Sequence, residues 1–392
     1  MANDSLVLHI DMDSFFVSVE QRRDARLKNR AVIIAGHSAR SVVASCSYES
    51  RALGIRSGMP LSVARRLCPE ALILRGDMEL YSQTSAEITE MLNQHLPCLE
   101  KASIDEFYAD LSGMERFFGG LSYARELREK MLEELGLPVS FGISVNKTVS
   151  KIATGQAKPN GSKAVAAGQE RRFLSPLPVR SIPMAGPVIT SKLEHMGIVQ
   201  IESLQQIPLS WMGQAFGKPG IEIGQKARGI DNLPVTPYRE QKSMSAETTF
   251  DQDLADPREL RRHLIALTER LGQELRSQNR MCSEISVKLR YSDFQTFSKQ
   301  RKIPYTCSDQ QLIDHACDLM SALFVRRSRV RCIGLRLSGW ITGQTTLSLF
   351  DEPSPQIHLY QTMDKLRERF GTHSILRASS LGLNNPKQSP ND

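Results

Sequence analysis

Hydrophobic positions along the chain follow two rhythms that alternate over the first 165 residues or so. Short apolar or alternating runs read as strands: "LVLHI" (6–10), "AVIIA" (31–35), "SVVAS" (41–45), "ALIL" (71–74), "EFYADL" (106–111) and "VSFGISV" (139–145). Between them, apolar residues recur at helical spacing over 62–67, 82–96 and 123–135. Interleaved strands and helices predict a mixed α and β domain. "SPLPVRSIP" (175–183) is a Pro-rich connection, and from there to about residue 232 the pattern is helical with short turns. A second connection, "DNLPVTPYREQK" (231–242), precedes helical patterns around 257–278 and 308–325 and alternating stretches at 283–294, 297–304 and 330–340. These predict an α+β domain of roughly 100 residues.

Composition narrows the class. The chain of 392 residues is long enough for several domains. It shows no apolar run of membrane-spanning length, and "MANDSLVLHI" lacks the basic and apolar regions of a secretory signal. Seven scattered cysteines, without CxxC spacing, suit reduced thiols of the cytosol and not a disulfide framework or a zinc site. Formal net charge is +7, and residues 233–342 hold 18 Lys/Arg against 13 Asp/Glu. That segment reads equally as a phosphate-binding surface or as a solvated face.

Two acidic clusters carry the chemistry. In "LVLHIDMD" the side chains of Asp11 and Asp13 would share one strand face, since strand side chains alternate. In "ASIDEFYADL", Asp105 and Glu106 are adjacent, so both serve one site only at a turn or a kinked strand end. Hard carboxylate oxygens with no nearby His or Cys suit Mg²⁺, and a pair of such ions suits phosphoryl transfer. "SYESRALGIRSGMP" adds Tyr48, Arg51 and Arg56 as donors for phosphate oxygens. "AKPNGSK" adds Lys158 and Lys163 around a Pro-Asn-Gly turn whose spacing is not that of a Walker A loop.

In order along residues 6 to 342, "DMDSFFVSVE", "SYESRALGIRSGMP", "SIDEFYAD", "SFGISVNKTVSKIATGQAKPNG" and "FGKPGIEIGQKARGID" together resemble the Y-family translesion DNA polymerases, in the DNA polymerase IV (DinB-like) branch. The resemblance implies an α+β multi-domain, right-hand polymerase. Residues 1–16 and 76–167 would form the palm, 17–75 the fingers, 168–232 a small helical thumb, 233–243 a linker, 244–342 an α+β little finger and 343–392 a C-terminal tail. It further implies low-fidelity addition of deoxynucleotides to a primer on a DNA template, with two Mg²⁺ ions or Mn²⁺ in their place. Small residues at Val42, Ala44 and Ser45 fit an open pocket for the nascent base pair.

By the same resemblance the catalytic residues are Asp11, Asp105 and Glu106. Asp11 and Asp105 bridge both ions, Glu106 binds the catalytic ion, and the Met12 carbonyl joins the nucleotide-side ion. Asp13 then becomes structural, against the period-two reading. Phe15, Phe16, Tyr48, Arg51 and Lys158 surround the incoming nucleotide. Tyr48, Arg51 and Lys158 hold its triphosphate, the Phe16 ring excludes a ribose 2′-hydroxyl, and Phe15 packs in the core. Primer–template DNA meets Lys288, Arg290, Lys299, Arg301 and Lys302 on one strand face, with Arg329 and Arg331 at a further basic edge.

Two motifs depart from the family pattern. "IPMAGPVITSKLEHMGI" resembles a helix–hairpin–helix turn, but Met184 replaces its first glycine and Pro187 removes one donor, so phosphate binding and a plain helical turn both stay open. "TTLSLFDE" (345–352) resembles a sliding-clamp peptide anchored by Leu347, Leu349 and Phe350, with Thr346 in place of the usual Gln. A capping strand on the little finger is the alternative there. The family implies a cytoplasmic, nucleoid-associated monomer. Two rivals remain: a non-catalytic scaffold of this fold, which would lack the three carboxylates, and a palm-related nucleotidyl cyclase, which would need neither thumb nor basic fourth domain.

Overall fold

Alternation in strand β1 (Val7–Met12) sends Leu8, Ile10 and Met12 into an apolar core and turns His9 and Asp11 to the opposite face. The computed structural model describes residues 6–36, 38, 40–114, 119–237, 240–343, 355–371 and 374–380. The chain divides into two units, Met1–Arg239 and Glu240–Asp392. In the first, β1 leads through α1 (Phe15–Arg23), β2 (Val32–Ala35), β3 (Val43–Cys46), α2 (Tyr48–Ala52), α3 (Leu61–Leu67), β4 (Leu72–Leu74), α4 (Met78–His95), β5 (Leu99–Lys101) and β6 (Glu106–Asp110). It continues through α5 (Gly120–Leu135), β7 (Val139–Ser144), α6 (Lys147–Ala157) and β8 (Ser162–Ala164). These strands form a five-stranded sheet in the order β5-β6-β1-β7-β8 and a three-stranded sheet in the order β3-β2-β4.

One face of the larger sheet is apolar. Leu8, Ile10, Phe107, Phe141 and Ile143 pack there with Val17 of α1, Ile88 and Leu92 of α4, and Met131 of α5. The other face is polar, because paired residues on antiparallel strands share a side. One cross-strand row runs Glu106, Asp11, Ser140, and the next runs Glu100, Tyr108, His9, Gly142. Helix α6 lies directly over this face, started by Asn146, whose side chain accepts the Val149 N–H at 3.0 Å. Gly142 permits the approach: a Cβ there would sit 2.2 Å from the Ser150 carbonyl oxygen and 2.5 Å from the Thr154 nitrogen.

The smaller sheet has its own core of Ile33, Val43, Cys46, Ile55 and Leu61. Helices α7 (Glu170–Leu174), α8 (Pro187–His195), α9 (Ile201–Gln206) and α10 (Leu209–Ala227, kinked at Gly217) build a third core that also takes in Val149 and Ile152 of α6. In the turn before α8, Met184 holds φ 75°, the left-handed backbone a glycine would adopt freely. The segment read as a linker is in part fixed to this unit. Thr148 Oγ1 donates to Asp231 at 2.6 Å and the Thr236 N–H donates to Glu100 at 2.6 Å. Backbone groups make part of that attachment, which composition does not reveal.

The second unit contains β9 (Ser243–Leu254), α11 (Pro257–Ser277), β10 (Arg280–Tyr291), β11 (Thr296–Thr306), α12 (Asp309–Leu323), β12 (Val330–Thr342) and α13 (Pro355–Phe370). Its sheet runs β11-β10-β12-β9, and Leu264, Leu271, Leu312 and Leu319 of α11 and α12 pack onto Ile285, Val287, Leu289, Ile333 and Leu335. Helix α13 docks on the helical side through buried charge. Arg276 donates to Asp309 and to Asp364, each at 2.6 Å, beneath the Tyr360 ring. The clamp-like peptide with Leu347, Leu349 and Phe350 lies outside the described residues. No helix among the described residues is long and apolar enough to cross a membrane.

Gly142→Ala tests the close approach of α6. The added methyl has backbone on two sides, so the substitution is expected to destabilise the first unit by roughly 1–3 kcal/mol. Urea unfolding checks this, and a wild-type midpoint would contradict the packing described.

Candidate active site

The end of β1 and the start of β6 bring the two acidic clusters together. Asp11 pairs with Glu106 in the sheet register, and the Met12 N–H donates to the Asp105 carbonyl at 3.0 Å. Asp105 sits just before β6 begins, at a turn held by Ser103. That hydroxyl donates to the Asp105 carboxylate at 2.6 Å and accepts the Glu106 N–H at 3.0 Å. The strand starts between the adjacent acids, so Asp105 lies in the turn while Glu106 stands on the strand opposite Asp11. Asp11, Met12, Ser14, Phe15, Phe16, Ala44, Ser45, Arg51, Asp105 and Lys158 line a common cleft.

The carboxylates find amines. Lys158 pairs with Asp11, and Lys151 reaches both oxygens of Glu106 at 2.5–2.6 Å. Burial pushes the Asp11 carboxyl up to about 6, with Glu106 and Asp105 adding to the rise and Lys158 opposing it. The buried His9 is held well below the usual imidazole range, first by burial and then by the charges of Lys151 and Lys158. Among the described residues no three His, Cys, Asp or Glu side chains gather closely enough to hold a metal ion. The reason is visible: each carboxylate is turned to its own donor, Lys158, Lys151 or Ser103. The donor set itself is all hard oxygen, and a desolvated carboxylate at its centre is an electrostatic demand for positive charge. That chemistry fits Mg²⁺.

Asp13 is not part of this set. It is buried, and its two oxygens accept the Tyr48 hydroxyl at 2.7 Å, the Ser140 hydroxyl at 2.9 Å and the Asn160 N–H at 2.6 Å. Tyr48 thus departs from its expected place at the triphosphate, since its hydroxyl is given to Asp13. The ring also carries the Arg51 guanidinium 4.9 Å from its centroid. Phe16 stacks on Tyr81, with ring centroids 4.3 Å apart, and Tyr81 is anchored by donating to Glu20 at 2.8 Å. Phe15 is 3% exposed and packs in the core while its edge reaches the cleft.

Several contributors were invisible to motif reading. Ser14, at the N-terminus of α1, has a buried hydroxyl that finds no partner and lines the cleft. Tyr81 and Ser103 act through neighbours, which only the fold supplies. Lys151 had a signal: Lys147, Lys151, Thr154 and Lys158 recur at helical spacing, and all four meet the polar sheet face.

In the second unit, pairing corrects the single basic face. Glu284 pairs with Lys302, Lys288 with Ser298 and Arg290 with Thr296, so Lys288, Arg290 and Lys302 share the open face of the sheet. Lys299 and Arg301 pair with the core residues Val287 and Ile285 and so lie on the helical side, where Arg301 reaches Asp318 of α12 at 3.1 Å. Arg336, opposite Ser286, joins the open face unannounced. Arg329 is exposed, and Arg331 stacks 4.6 Å over Phe294.

Asp13→Asn is expected to lower the stability of the first unit by about 2–3 kcal/mol, because an amide cannot accept three donors as the carboxylate does. Thermal unfolding with and without Tyr48→Phe checks it, and an additive double variant would show that the two side chains do not interact.

Comparison with known proteins identifies the family. The impB/mucB/samB family matches residues 10–155 and its C-terminal domain matches residues 241–349. DNA polymerase IV of Dehalococcoides mccartyi is 35% identical over 373 residues, covering 94% of this chain and 96% of that one. DNA polymerase IV of Methanoculleus marisnigri is 38% identical over 351 residues, covering 88% and 98%. Among solved structures, a Y-family DNA polymerase chimera of Dbh and Dpo4 matches with a TM-score of 0.79 at 27% identity, covering 86% of this chain and all of that one. DinB from Sulfolobus solfataricus matches with a TM-score of 0.59 at 26% identity over the same shares. The chain belongs to the impB/mucB/samB family, that is, to the Y-family of DNA-directed DNA polymerases in its DNA polymerase IV branch.

Proposed function

We propose that the cleft joins deoxynucleoside triphosphates to a primer 3′ end by two-metal-ion phosphoryl transfer, with low fidelity and on damaged templates. The observation that carries this reading is the placement of Asp11 and Asp105 in a cleft walled by Phe16, with Glu106 beside Asp105 in the chain and opposite Asp11 in the sheet register. Asp11, Asp105, Glu106 and the Met12 carbonyl would hold the metals. When bound, two Mg²⁺ ions, or Mn²⁺ in their place, supply Lewis acidity at the attacking and leaving oxygens.

The protein's own groups do the rest. Lys158 and Arg51 offer charge to the triphosphate, and Lys158 leaves Asp11 to do so. Tyr48 becomes a phosphate donor only on leaving Asp13. Phe16, backed by the stacked Tyr81 ring, fills the space beside the sugar. Ala44 and Ser45 leave that end of the cleft uncrowded, which supports tolerance of altered bases.

In this reading the five-stranded sheet is the palm, the three-stranded sheet the fingers, α7 to α10 the thumb, and the second unit the little finger. Lys288, Arg290, Lys302 and Arg336 would meet DNA phosphates through the open sheet face. The clamp peptide at Leu347, Leu349 and Phe350 is supported by sequence alone.

Primer extension tests the chemistry. Asp105→Asn and Glu106→Gln are expected to slow turnover by about two to three orders of magnitude while primer–template binding stays intact. Wild-type rates in both would remove the carboxylates from the mechanism. Phe16→Ala is expected to shift the ratio of ribonucleotide to deoxynucleotide kcat/KM upward by at least about tenfold. An unmoved ratio assigns sugar selection elsewhere.

A further inference from the structure

Helix α6 presents Lys147, Lys151 and Thr154 along one stripe to the polar sheet face, and Lys158, the first residue past its end, reaches the same face. Lys147 pairs with Glu100, Lys151 with Glu106, Thr154 with His9, and Lys158 with Asp11. Three of these partners have a further occupation. Glu100 also fixes Thr236, the Thr154–His9 contact is buried structure, and Lys158 belongs to the proposed triphosphate site. Lys151 has neither role. Its ammonium reaches both oxygens of one carboxylate, in a pair whose side chains are 32% and 26% exposed.

A carboxylate engaged at both oxygens by an ammonium has little left to give a metal ion. Without that ammonium, Glu106 would stand uncompensated next to Asp105 and opposite Asp11 in the sheet register. We propose that Lys151 is a resident counter-cation of the active site: it holds Glu106 in place before metal arrives and is exchanged for the metal on binding. Lys151 is then a positioning residue that sets metal affinity, by competing for the same oxygens. This rests on the reading of Asp11, Asp105 and Glu106 as metal ligands.

The competition has a sign. Removing Lys151 takes away both the competitor and a neighbouring positive charge, so divalent affinity rises. The same change leaves the carboxylates unpaired in the metal-free protein, so its stability falls. A purely structural lysine would lower stability equally with and without metal and leave affinity alone.

The test uses the full-length chain, with free Mn²⁺ followed by electron paramagnetic resonance and unfolding followed by circular dichroism. Lys151→Gln is expected to bind Mn²⁺ about three- to tenfold more tightly than wild type. Its melting temperature should fall in EDTA and recover toward wild type at saturating Mn²⁺. Lys151→Arg should restore the wild-type affinity, since it keeps the charge. Unchanged or weaker Mn²⁺ binding in Lys151→Gln overturns the proposal. Glu106→Gln serves as the control for the site itself. If it fails to weaken Mn²⁺ binding, the ligand assignment falls; if it weakens binding while Lys151→Gln has no effect, only the counter-cation role falls.

Discussion

Charge compensation on one buried sheet face organises the first unit. Three carboxylates near the ends of β1 and β6 repel one another, and burial sharpens the repulsion by removing water. The fold answers with a helix whose amines recur at the pitch needed to meet successive strand rows. That helix approaches closely only because Gly142 has no side chain, so backbone packing and electrostatics are set by the same contact. Weakening the approach would loosen three ion pairs together. The site is in this sense a property of α6 against the sheet, and the individual acids are its visible part.

Much of this was legible in the chain, and the limits have physical causes. The alternation of "LVLHIDM" predicts a strand with one apolar and one polar face, and β1 is built that way. Adjacent acids in "SIDEF" demanded a turn or strand end, and β6 starts at Glu106. Register is another matter. Lys288 and Arg290 alternate along β10, but Arg301 and Lys302 of β11 are adjacent and must face opposite ways. Which of them joins Lys288 and Arg290 depends on the partner strand, and the register puts Lys302 there and leaves Lys299 and Arg301 on the other side. Tyr48 was read as a phosphate donor from its residue type and from the family resemblance. Its hydroxyl is instead claimed by Asp13, 35 residues earlier in the chain, a pairing no local pattern encodes.

The second unit shows another way of handling buried charge. Arg276 lies between Asp309 of α12 and Asp364 of α13, while Glu269 of α11 meets Arg367 and Arg377. Ion pairs in such settings contribute more to orientation than to net stability, because desolvation offsets attraction. Here they fix α13 on a helical layer that the chain has already completed. The charged piece "LYQTMDKLRERFG" (359–371) is thereby part of a packed layer.

The central position of β1 has a consequence for how the protein is made. Val7 pairs with Asp110 on one side and with Ser144 on the other, so β1 waits for strands synthesised more than a hundred residues later. The sheet of β2, β3 and β4 spans only Val32 to Leu74 and needs no such delay. During synthesis, therefore, the smaller sheet can close while Leu8, Ile10 and Met12 still face water. A nascent chain arrested before residue 139 should leave β1 unpaired along one edge and open to proteases there; protection at that stage would contradict this order. The strand that carries Asp11 is made before both of its neighbours and enclosed only after them.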